Sequence, residues 1–231
     1  MSVLSDKDIK KRLVPLKETG LPVNFLDLVR LGKMPKELER LLNDGYIVID
    51  PFPDKKRFDA DTFDLAFGHT VEMPDMPLEC VSINGKTTIR RFTVDFREDS
   101  LQKRLDQTRK VSIEDQSRLR FILEKDDTIE LQPGMMVLAH TLEKICVPCD
   151  LQMQVWGRSR IARSYVCAHV SSPIFHPGWC GHLTMEVKND GHFSFNAYPG
   201  LIFAAVTFNQ LSSKAETPYF KKENARYSGQ R

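Results

Sequence analysis

Apolar residues in this chain fall mostly in short runs of strand length. After Tyr46 these are YIVID, FDLAFG, TTIRRFTVDF, RFIL, MMVLAHTLEKICVP, LQMQVWG, SYVCAHV, GHLTMEVKN and LIFAAVTF. Pro-Gly pairs punctuate them at Gln132-Pro133-Gly134, His176-Pro177-Gly178 and Tyr198-Pro199-Gly200, which predicts turns between antiparallel strands. Helical spacing is confined to the start of the chain. Ser5 is placed to cap a helix over 5–13 that aligns Ile9 with Leu13. A second helix follows, with Pro35 in its first turn, Leu38, Leu41 and Leu42 on one face, and Gly45 at a left-handed cap. The prediction is a mainly β protein, a sandwich or distorted β-barrel, with a helical N-terminal appendage. The polar stretch 97–117 interrupts the strands and reads as a solvated, partly helical excursion.

Composition narrows the function classes. At 231 residues with 41% hydrophobic content the chain can bury a core, and a net charge of +2 gives no global field for nucleic acid. Anion binding has to be local. No window approaches 18 consecutive apolar residues, and MSVLSDKDIKKRL lacks the apolar centre of a signal peptide, so a soluble, cytoplasmic protein without a membrane partner is expected. Five cysteines, an odd number, suit thiols in a reducing compartment.

Charge concentrates after LQMQVWG. Gly157-Arg158-Ser159-Arg160 joins a flexible backbone to hydroxyl and guanidinium donors, a combination that holds phosphate, although arginine-rich loops are more often solvated or salt-bridged. Arg163 follows, and further on comes Leu183-Thr184-Met185-Glu186-Val187. Alternation puts Leu183, Met185 and Val187 on one face, Thr184 and Glu186 on the other, so Glu186 is either a wet-face residue or one that faces a cleft. Cys146-Val147-Pro148-Cys149 lacks the preceding proline and the H-x-E or C-x-E partner of a zinc deaminase. It reads as two strand thiols, and no zinc is expected. His69, His169, His176, His182 and His192 show no metal-like spacing.

Several of these motifs agree in register with one family. Arg158-Ser159-Arg160-Ile161-Ala162-Arg163, His169-Val170, Pro177-Gly178-Trp179-Cys180-Gly181, Glu186, Tyr198-Pro199-Gly200, Pro218-Tyr219, Ala225-Arg226-Tyr227 and Gln230 resemble the dCTP deaminases of the trimeric dUTPase superfamily. Leu4-Ser5-Asp6-Lys7-Asp8-Ile9 resembles the family's opening. The resemblance implies a distorted β-barrel in a homotrimer with sites shared between subunits. It implies hydrolysis of dCTP to dUTP and ammonia, Mg²⁺ carried on the phosphates, and dTTP as an inhibitor. Glu186 is then the proton shuttle, Arg163 and Ser159 organise the reacting end, and a backbone carbonyl near Ser172 helps to hold water. Arg158, Ser159, Arg160 and Arg163 with Tyr219, Arg226 and Gln230 would bind the nucleotide, His176 would face the sugar, and Thr184 and Met185 would border the base. The implied division is 1–45 helical, 46–218 catalytic barrel and 219–231 closing tail.

The chain departs from the family at Arg160 and Ser172, where Ser and Ala are usual, and at His176, where an Asp contacts the sugar 3′-hydroxyl. In dUTPase-like relatives the corresponding carboxylate prepares water for attack on phosphate, so His176 predicts dUTP rather than dUMP as the product. Segment 14–45 has no recognised counterpart. Relatives continue past Gln230-Arg231, so a short lid or a cut sequence is expected there. The competing readings are a dUTP diphosphatase or bifunctional dUMP-forming enzyme, and a non-catalytic nucleotide-binding regulator.

Overall fold

A computed structural model describes residues 2–73, 79–83, 86–90, 119–222, 225 and 228–229. The excursion at 97–117 lies outside them, as do the tail residues Arg226, Tyr227 and Gln230. The chain divides into two units, residues 72–121 and the remainder.

In the larger unit two N-terminal helices form where capping and periodicity place them, and a third, short one between them is not expected from the sequence. After strand β1 (Ser2–Val3), helix α1 (Asp6–Arg12) starts at Ser5, whose hydroxyl accepts from the Asp8 amide at 3.3 Å. Strand β2 (Leu13–Pro15) leads to helices α2 (Phe25–Arg30) and α3 (Lys36–Asn43). α3 buries Leu38, Leu41 and Leu42 and stops at Gly45, whose φ of +87° lets Tyr46 N–H reach Leu41 O and Gly45 N–H reach Leu42 O. With Phe25, Leu26 and Val29 these leucines build an apolar cluster around Cys146, Cys149 and Cys180. Burial pushes the Cys149 thiol up to about 11 and the Cys180 thiol well above the usual thiol range. Segment 14–45 therefore covers the barrel-side cysteines with its own small core.

The strands that follow are β3 (Ile47–Asp50), β4 (Phe63–Met73), β5 (Glu79–Ile83), β6 (Lys86–Arg90), β7 (Leu119–Ile122) and β8 (Ile129–Leu131). Then come β9 (Met136–Cys146), β10 (Leu151–Gly157), the short helix α4 (Ser159–Ala162), β11 (Val166–Cys167), β12 (Ile174–Phe175), β13 (Cys180–Asn189), β14 (Phe195–Ala197) and β15 (Ile202–Gln210). The main sheet runs β11-β13-β9-β4-β15-β10-β12, with β3 also on β9 and β1 on β15. The protein is mainly β, as the periodicity predicts, and among the described residues this path is open at β11 and β12. In the smaller unit β5 and β6 form an antiparallel hairpin, Glu79 opposite Arg90.

One expectation needs correction. Gly134, Gly178 and Gly200 do adopt positive φ at the three Pro-Gly turns, yet the strands flanking each turn do not pair with each other. β8 pairs with β14, β12 with β10, and β13 with β9. A Pro-Gly pair fixes a local reversal, but partner choice follows which apolar faces can be buried together, a long-range property. That core is aromatic, with Phe63, Phe67, Phe203 and Phe208 all buried.

Candidate active site

β13 carries the site's carboxylate. Leu183, Met185 and Val187 are buried, whereas Thr184 and Glu186 lie half-open on the opposite face, so the alternation read from sequence holds. Met185 is fully buried and can border a ligand only through its backbone. The Glu186 side chain is 30% exposed and is held by the loop after β11. Its Oε2 accepts from the Ser171 amide at 2.8 Å and from the Ser171 hydroxyl at 3.0 Å, while Oε1 keeps only a longer contact of 3.3 Å to that hydroxyl. One oxygen is anchored and the other is left to accept or deliver a proton.

The loop achieves this at a conformational cost. Ser172 has φ of +54°, unusual for a non-glycine residue and more so before a proline. This left-handed residue turns the chain between Ser171, which grips Glu186, and Pro173, whose carbonyl accepts from Val155 on β10. Ser171 was not singled out in the sequence. No local pattern marks it, because its partner lies 15 residues away across a strand pair.

Arg158 caps α4 and places Nη1 2.9 Å from Asp64 Oδ1 on β4, close in distance but off the hydrogen-bond direction. Burial raises the Asp64 carboxyl above its usual value, opposed by the charges of Arg158 and Arg57. Ser159, Arg160 and Arg163 are exposed, and neither Arg160 nor Arg163 pairs its side chain with another described residue. The fold therefore gathers the arginines around α4 and places the carboxylate on β13, and among the described residues no hydrogen bond or ion pair joins Arg163 to Glu186.

At the other end of β13 the tail returns to the His-Pro-Gly turn. The rings of His176 and Tyr219 stack at 6.0 Å and 8°, and the Tyr219 amide donates to Pro177 O at 2.7 Å. Burial, and then the Lys222 ammonium, hold His176 below the usual imidazole value. Gly178, at φ +80°, makes the approach possible, since a Cβ there would lie 2.7 Å from Pro218 Cβ and 2.8 Å from Phe220 Cδ1. Gly178→Ala is expected to displace the tail at a cost of about 1–2 kcal/mol. Limited trypsinolysis should then cut at Lys221 and Lys222 faster than in the parent, and unchanged cleavage would mean that the glycine is not the seat of the tail.

The model of the dCTP deaminase-like family matches residues 34–211, well over half of the chain, and spans the Arg158–Glu186 region just described. The chain belongs to this dCTP deaminase-like family. It is similar to a "dCTP deaminase, dUMP-forming" of Dictyoglomus thermophilum, 29% identical over 85% of this chain and 89% of that one. It is also similar to a "dCTP deaminase" of Hamiltonella defensa, 28% identical over 84% of this chain and 92% of that one. Among solved structures, a 2′-deoxycytidine 5′-triphosphate deaminase from Agrobacterium tumefaciens superposes with a TM-score of 0.47 at 14% identity, covering 71% of this chain and 43% of that chain. Within this dCTP deaminase-like chain, residues 34–211 include Glu186, Ser171, Arg158 and His176, whereas Tyr219 lies beyond the matched span.

Proposed function

We propose that the protein hydrolyses dCTP to dUTP and ammonia, with Glu186 as the proton shuttle. The observation that carries this reading is the Glu186 carboxylate, half-open and held at one oxygen by the Ser171 amide and hydroxyl, within a chain of the dCTP deaminase-like family. Deamination at C4 requires water to add, a proton to reach N3, and a second proton to reach the departing amine. A single oriented carboxylate can take the proton from water and return it to N3, then repeat the transfer for the amine. Oε1 is the oxygen placed for both transfers, since Oε2 is engaged by Ser171. A backbone carbonyl near Ser172 would help to hold the water.

Arg158, Ser159, Arg160 and Arg163 supply donors for the triphosphate, with Tyr219, Arg226 and Gln230 closing from the tail. Thr184 and the Met185 backbone would border the base. Mg²⁺ would be carried on the phosphates, because the guanidinium groups that dominate this donor set offer it no ligand. In this reading the protein acts in the cytoplasm as a homotrimer whose sites are completed by a neighbour. Light scattering should give about three chains per particle, an expectation from the family alone.

His176, whose pKa is lowered by burial and then by Lys222, can hydrogen-bond a sugar hydroxyl but is a weaker base than an ordinary imidazole for preparing a second water. The deciding experiment incubates the protein with each pyrimidine nucleotide and Mg²⁺ and measures ammonia and pyrophosphate separately. The expected result is ammonia and dUTP from dCTP without pyrophosphate. Pyrophosphate released in step with ammonia would overturn the product assignment, and no ammonia from any nucleotide would leave a non-catalytic nucleotide-binding protein.

A further inference from the structure

β11 pairs with β13 so that Val166 lies opposite Asn189 and Cys167 opposite Lys188. Continuing that register by two places sets His169 opposite Glu186. The side chains confirm the alignment. His169 Nδ1 lies 3.5 Å from the Glu186 amide, at the long end of hydrogen-bond range, and 3.9 Å from Glu186 Oε2. In the alternation of an extended segment, residues two apart face the same way, so His169 and Ser171 both point at Glu186 while Val170 between them is 52% exposed. Two residues of one short stretch thus hold Glu186 from two sides, His169 at its backbone and Ser171 at its carboxylate.

The His169 side chain is only 8% exposed, and its Nε2 is buried without a hydrogen-bond partner among the described residues. An imidazole kept for packing alone would carry an uncompensated donor that an apolar side chain avoids. Its Nδ1 is the atom that has work to do. To accept from the Glu186 amide, Nδ1 must be unprotonated, which places the proton of the neutral ring on Nε2. In that tautomer the ring offers no donor to Oε2, so the carboxylate is left to Ser171 on that oxygen and keeps Oε1 open.

We propose that His169 is a positioning residue for the deamination chemistry: as the Nε2–H tautomer it fixes the backbone of Glu186 and thereby the direction of its carboxylate. The inference rests on the reading of Glu186 as the proton shuttle, but its first test does not use activity. With the full-length protein labelled with ¹⁵N in histidine, the imidazole nitrogens of His169 are expected to show an unprotonated Nδ1 and a protonated Nε2 at pH 7.5. A protonated Nδ1 would overturn the proposal whether or not the protein deaminates dCTP.

The second test compares His169→Leu, His169→Asn and His169→Gln with dCTP and Mg²⁺. Leucine removes the acceptor, asparagine places a carbonyl oxygen near the Nδ1 position, and glutamine places it near Nε2. His169→Leu should lower kcat about 10- to 100-fold with KM within about twofold, since misdirection of a catalytic group costs turnover rather than binding. His169→Asn should recover most of that loss and His169→Gln less. Equal losses in all three variants, a loss confined to KM, or better rescue by glutamine would overturn the assignment. If His169→Leu does not fold, the order of the asparagine and glutamine variants decides.

Discussion

Glu186→Gln is expected to lower ammonia release from dCTP by at least about 10³-fold while leaving nucleotide affinity within about tenfold. The amide has nearly the shape of the carboxylate, and its carbonyl oxygen can still accept from the Ser171 amide and hydroxyl that hold Oε2. Its nitrogen then occupies the Oε1 side, where it has no lone pair to take a proton from water and no acidic proton to return. Binding should survive, because the groups assigned to the phosphates lie around α4 and on the tail. Turnover and equilibrium binding of dCTP measured on the same preparation separate the two effects. Near-normal turnover would remove Glu186 from the chemistry, and a loss of binding equal to the loss of turnover would make it a ligand contact instead.

What could be read from the sequence follows the range of the interactions involved. Ser5, Gly45 and the burial pattern of Leu38, Leu41 and Leu42 are local, and each appears in the structure where capping and periodicity place it. The two faces of β13 are equally local, so Glu186 stood out as a polar residue in an alternating strand before any partner was known. Ser171 and His169 were not legible as its supports, because their roles depend on the register of β11 against β13, which neither stretch specifies alone. The Pro-Gly turns show the same limit from the other side: each reversal was placed correctly, and the strand pairing inferred from it was not. Glu143 was hidden for a further reason. Nothing local in the run MMVLAHTLEKICVP marks its glutamate as buried, yet its side chain is 1% exposed and finds its cation on a segment 86 residues away.

That buried pair carries the largest stability effect expected outside the site. Arg57 Nη1 meets Glu143 Oε1, the Ala66 amide donates to Oε2 at 3.0 Å, and the Thr141 hydroxyl donates to Glu143 O at 2.8 Å. Burial raises the Glu143 carboxyl above its ordinary value of 4.5, against the Ala66 hydrogen bond and the Arg57 charge. Because the folded value is raised, at pH values between the two the folded state holds a proton that the unfolded state has released. Stability from this group is therefore fully present below about 4.5 and is lost as pH rises through the folded value. Arg57→Met removes a cation that favours the ionised form, so it should raise the folded value further and leave the buried carboxyl without its partner. The expected cost is about 3 kcal/mol at pH 7, narrowing in acid where Glu143 is protonated with or without Arg57. The same guanidinium steadies Asp64, the partner of Arg158, so the variant should also weaken nucleotide binding. Urea denaturation across a pH series tests the first effect. A stability loss that stays constant from neutral to acid pH would show that Arg57 acts through packing of its stem and not through the charge on Glu143.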